Sequence, residues 1–83
     1  MPTIHSERGI RIAFASNDCP ERPHVHAIVG RAQAKFWLVP DVELEGNHGL
    51  TKSELQIAAR TVRERREDCL AFWHKHCGQD PDA

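Results

Sequence analysis

His24-Val25-His26 follows a loop, Asn17-Asp18-Cys19-Pro20-Glu21-Arg22-Pro23, that carries carboxylates and a thiol. On a β-strand, residues two apart project from the same face, so His24 and His26 stand side by side. Two imidazoles beside a carboxylate suit two chemistries. One is proton transfer, with His24 and His26 as acid and base and Asp18 orienting one ring. The other is metal binding, in which Asp18 or Cys19 joins the two imidazoles and one coordination position stays open, as in a catalytic zinc site. A third reading makes the histidines purely structural, hydrogen-bonded to backbone or carboxylate beside the turn.

Proton transfer extends naturally to RNA. Arg11, Lys35 and Trp37 are the further candidates: cations hold phosphate and an indole stacks on a base. With His24 and His26 they would make a metal-independent RNase that needs no cofactor. The opposing reading places Trp37 in a dimer core and leaves Arg11 and Lys35 as solvated charges. Strand register decides whether these side chains share a face at all.

The elements that must position them are legible in outline. Ile10 to Ala15 alternates large apolar with smaller or charged residues, which predicts a strand. After the proline-containing loop, His24 to Val29 resumes the alternation, with Val25, Ala27 and Val29 on one face and His24, His26 and Ile28 on the other. Gly30-Arg31 suits a II′ hairpin turn, because glycine at its first central position takes a positive φ. Ala32 to Val39 is the partner strand, and Pro40 stops it. Val42 to Glu45 suggests a short fourth strand, closed by Gly46-Asn47-His48-Gly49. From Thr51 onward apolar residues recur at helical spacing, Thr51 and Glu54 match a capping box, and Gly78 supplies a stop. A helix of about 25 residues spans roughly 37 Å. The expected fold is α+β: a three- to four-stranded antiparallel sheet backed by one long C-terminal helix, in a single domain over 1–78 with a disordered tail at 79–83.

One helix covers one face of such a sheet, so the other face is wet, ligand-bound or in an interface. Ile28 and Trp37 on that side predict a homodimer or a hetero-oligomer. Within the helix, Arg60 with Glu64 and Arg63 with Glu67 are i,i+4 pairs of opposite charge. Arg66 falls in the gap of the apolar stripe, where a guanidinium should seek a carboxylate, with Asp41, Glu43 or Glu45 the nearest candidates, or a partner chain.

Composition narrows the classes. The chain has 83 residues, a formal net charge of -1 and 11 basic against 12 acidic side chains, which is no polyelectrolyte signal for nucleic acid or membrane. Mean hydropathy is -0.56, and no apolar run reaches membrane-spanning length. Cys19, Cys69 and Cys77 form no paired motif. Read plainly, they are reduced thiols in a cytoplasmic protein, Cys69 and Cys77 lying in the core.

The start Met1-Pro2-Thr3-Ile4, the Asn17-Asp18 pair, Pro23-His24-Val25-His26-Ala27, the acidic Val42-Glu43-Leu44 and a helix ending in Trp73 together resemble a family of small bacterial proteins, domain of unknown function 4160. That family's core pattern is Asp-His-x-Pro-Pro-His-Phe-His-Ala. This chain departs from it with Cys19 in place of His, Arg22 in place of Pro and Val25 in place of Phe. Cys19 keeps a metal-ligand capability there and loses a neutral-pH base. The resemblance implies one half of a two-gene, toxin–antitoxin-like operon, with a small operon-encoded protein as partner. It implies no particular activity.

Overall fold

Alternation along the first half of the chain resolves into a continuous antiparallel meander. A computed structural model describes residues 3–14 and 19–77. Its strands are β1 (Thr3–Glu7), β2 (Ile10–Ala13), β3 (His24–Val29), β4 (Ala32–Trp37) and β5 (Glu43–His48), followed by helices α1 (Lys52–Glu64) and α2 (Arg66–Cys77). The sheet order is β1-β2-β3-β4-β5, so the α+β expectation holds with more strands than the three or four anticipated. The added strand is β1. Its sequence, Thr-Ile-His-Ser-Glu, has one large apolar residue and so shows almost no period-two signal. The turn that folds it back is Arg8-Gly9: both residues have positive φ, 51° and 77°, as a I′ hairpin requires.

The Gly30-Arg31 turn has φ 58° at Gly30 and joins Val29 to its partner Ala32. β5 runs through Gly46, Asn47 and His48 instead of ending before them. An edge strand needs only one partner and can be polar on both faces, so composition gave this one no boundary. Beyond it, the Asn47 amide donates to the Leu50 carbonyl and accepts from the Leu50 amide, both at 3.0 Å. Gly49 sits in this turn with φ 106°, and a Cβ there would lie 2.9 Å from that of Ala32.

The capping box forms as expected. Thr51 Oγ1 accepts from the Glu54 amide at 3.1 Å, and Glu54 Oε1 accepts from the Thr51 amide at 2.9 Å. The single long helix does not. Arg65, with φ -107° and ψ 16°, interrupts it between α1 and α2. Just upstream, Thr61 Oγ1 donates to the Ile57 carbonyl at 2.8 Å, a side-chain bond that competes with the helical ladder and bends helices. Just downstream, Arg66 is held by backbone and not by acid: Nε donates to the Leu38 carbonyl at 2.7 Å and Nη2 to the Pro40 carbonyl at 3.2 Å. The expected carboxylate partner is therefore replaced by the carbonyls where β4 runs out. The Arg60–Glu64 pair is present at 3.6 Å, and the second helix pair is Arg65–Asp68, not Arg63–Glu67.

The core lies between one sheet face and the helices. Ile12, Ala27 and Ala34 stand in one register row and Val25 and Phe36 in the next. Ala58 and Val62 of α1 and Cys69 of α2 belong to the same buried cluster. Small residues at Ala27, Ala34 and Ala58 suit close approach of helix to sheet. The expected tail at 79–83 lies outside the described residues.

Candidate functional site

Register settles which side chains share the face away from the core. Arg11, Ile28, Gln33 and His48 form one cross-strand row, and Ala13, His26, Lys35 and Gly46 the next. His24 pairs with Trp37 in a third row. All alternate with core residues and so project to the opposite side. The structure thus places Arg11, His24, His26, Lys35 and Trp37 on one face, and it adds His48. Sequence reasoning passed over His48 by reading Gly46 to Gly49 as a turn. Only Gly46 and His48 alternate on this face, because the bulge opposite Lys35 and Phe36 turns Leu44 to the side of Phe36, and that is too short a pattern to read from sequence. Asp18, expected to orient an imidazole, lies outside the described residues.

The two motif histidines differ in environment. His24, at the very start of β3, is fully buried. Its ring lies 5.1 Å from that of Trp73, 5.6 Å from Trp37 and 5.3 Å from His26, centroid to centroid. Its Nδ1 lies 2.9 Å from the Arg22 carbonyl; a carbonyl only accepts, so Nδ1 carries the hydrogen. His26 is half-buried and lines a small cleft of about 160 Å³ with Gln33, Lys35, Glu45, Gly46 and His48. A ligand on the open face meets His26, while His24, on the same face, is covered by Trp73 and Trp37.

Trp37 is half-buried and clasped by cations. The Arg22 guanidinium lies 4.2 Å from its ring centroid and the Lys35 ammonium 4.6 Å. Lys35 also donates to Glu21 at 2.8 Å and lies 3.9 Å from Glu45. Cations and carboxylates are therefore interleaved on this face. Among the described residues, the large apolar side chain with the greatest exposure is not Trp37 or Ile28 but Leu44, on β5.

Behind His24, Trp73 packs 5.1 Å from Phe14, which meets Phe72 and His76 edge-on at 5.6 and 5.7 Å. A disulfide between Cys19 and Cys77, 58 residues apart, ties the histidine loop to the end of α2 beside this aromatic group. This overturns the reading of these two cysteines as reduced thiols. It also removes the Cys19 thiolate from the metal-ligand set proposed with Asp18, His24 and His26. Cysteine pairing across such a separation is set by tertiary approach and leaves no local trace. Cys69 is the core thiol that was expected, and burial pushes its pKa up to about 11. At the far edge of the sheet, a hydrogen bond from His5 at 2.7 Å lowers the pKa of the Glu7 carboxyl.

The model of the family described as Domain of unknown function (DUF4160) matches residues 9–74. The chain belongs to that family. The match runs through the meander from β2 to β5 and most of α2, so it contains His24, His26 and Trp73 of this DUF4160 chain but neither β1 nor Cys77. Comparison with curated proteins and with solved structures finds no match. Among the described residues, no helix is long and apolar enough to cross a membrane.

Proposed function

We propose that this DUF4160 protein is one half of a toxin–antitoxin-like pair and docks its protein partner through the open sheet face around Trp37 and His26. The observation that carries this is the Trp37 indole held between Arg22 and Lys35 on the side opposite the core. Aromatic and arginine side chains dominate the binding energy of protein interfaces when they sit centrally with polar groups around them. Here Gln33, Glu21 and Glu45 supply that polar surround. Polyanion binding instead draws on several uncompensated cations, and Lys35 is already engaged with two carboxylates. His24 supports the interface from beside Trp37, its cross-strand partner, with the two rings edge-on at 5.6 Å.

The test is co-expression with the product of the neighbouring gene. A complex of the two chains on size exclusion with light scattering is the expected result, lost in Trp37→Ala and weakened in His26→Ala. Absence of a complex, or one indifferent to Trp37→Ala, overturns the reading. A homodimer through this face would show the same Trp37 dependence without the second chain.

One observation favours RNA as a second reading: His26 and His48 line the same cleft, with Lys35 beside them. Two imidazoles and an ammonium there could exchange protons with a phosphodiester and hold its charge. In that case the acid–base pair is His26 with His48, since His24 is buried. Cleavage of a labelled RNA by the purified protein, lost in both His26→Gln and His48→Gln, would support it.

A further inference from the structure

The side of β5 that faces the helices carries a second surface, separate from the histidine face. A groove of about 690 Å³ runs between β4, β5 and α1, with Phe36, Val42, Leu44, Leu50, Leu55 and Ala59 along it. Lys52 and Arg63 stand at its rim. Neither takes part in an ion pair among the described residues. Leu44 is 49% exposed, the largest exposure of any bulky apolar side chain described. The groove borders a strand edge, because β5 pairs with β4 alone. Glu43 and Glu45 guard that edge only from the other side: Glu43 stands opposite Trp37, and Glu45 reaches toward Lys35.

We infer that this groove and the β5 edge together bind an extended, acidic segment of a partner protein by strand addition. The backbone of β5 supplies the hydrogen-bonding edge. Alternate apolar side chains of the incoming segment enter the groove beside Leu44, and a carboxylate at its end meets Arg63 or Lys52. Charge fixes the class of segment. A basic one would be repelled by both rim cations, and an uncharged one would leave them uncompensated next to newly desolvated surface. The bulge opposite Lys35 and Phe36 turns Leu44 into the groove while Glu45 points away.

Selection of a displayed library of random peptides against the folded protein tests this. Enriched peptides should alternate apolar residues and carry Asp or Glu. A synthetic copy should bind about tenfold more weakly, or worse, to Arg63→Glu, a change of roughly 1.4 kcal/mol or more. Binding should be lost in Leu44→Asp and unchanged in His26→Gln, which separates this surface from the histidine face. Backbone amides of β5 should gain protection from hydrogen exchange when the peptide is bound. Enrichment of basic peptides, no enrichment, or indifference to Arg63→Glu overturns the inference. So does self-association of the unliganded protein that Leu44→Asp abolishes, which would make a second copy the occupant. Both substituted side chains are exposed, and a thermal melt of each variant confirms that the fold is retained.

Discussion

The indole of Trp73 lies 5.1 Å from the imidazole of His24, ring centre to ring centre, so the final helix seats the first residue of β3. Both side chains are fully buried. The histidine motif therefore puts two rings on one sheet face, His24 covered by Trp73 and His26 left partly open.

That division separates the two histidines in stability measurements. Trp73→Ala should cost about 3–5 kcal/mol, as for other large-to-small aromatic changes in a core. His24→Gln should cost about 1–3 kcal/mol, by disturbing a buried, hydrogen-bonded ring. His26→Gln should stay within about 0.5 kcal/mol, as surface changes usually do. Urea midpoints rank the three; equal losses for His24→Gln and His26→Gln would contradict the division.

The Cys19–Cys77 bridge closes most of the chain into one loop. Opening it by Cys19→Ser with Cys77→Ser should lower stability by about 2–4 kcal/mol. The histidine loop should loosen first, seen as faster exchange of the amides around Arg22 to His24. Rapid acid quenching of cells followed by thiol alkylation and mass measurement reports whether the bridge is closed where the protein works. A fully alkylated chain would show that it is open there.

Arg66 joins α2 to the end of β4 through two carbonyls. Arg66→Met should cost about 1.5–3 kcal/mol, the range for hydrogen bonds to a charged donor. Arg66→Lys should recover little, because an ammonium lacks the planar fork that spans both oxygens. Asp41→Asn and Glu43→Gln should leave the urea midpoint unchanged. A loss in either of them as large as in Arg66→Met would restore the carboxylate pairing expected from sequence.

Cys69 gives a titration with a definite sign. Its thiol pKa is raised from 9.0 to about 11 by burial, so the folded state keeps a proton that the unfolded state releases. Stability should then fall as pH rises from about 9 toward 11, since the unfolded chain binds fewer protons over that interval. In the oxidised native protein at pH 8, a thiol-specific reagent should find no reactive group. After denaturation without reductant it should find Cys69 alone. Rapid labelling of the native protein would place Cys69 outside the core.

Local order was written plainly where a residue's immediate neighbours decide it. Thr51 with Glu54 start a helix, and Gly30 turns a hairpin, because each needs only a few bonds within its own segment. The alternation around His24 and His26 likewise announced a strand with both rings on one face. Tertiary structure decided what those rings meet. Burial of His24 depends on Trp73, far along the chain, and the row containing His26, Lys35 and Gly46 depends on register between strands. β1 and most of β5 carry too little apolar patterning to announce themselves and become strands by pairing with neighbours already in place. Arg66 finds carbonyls in place of carboxylates, and Cys19 finds Cys77, for the same reason: distance in space is set by the packed sheet and helices, and spacing along the chain does not encode it.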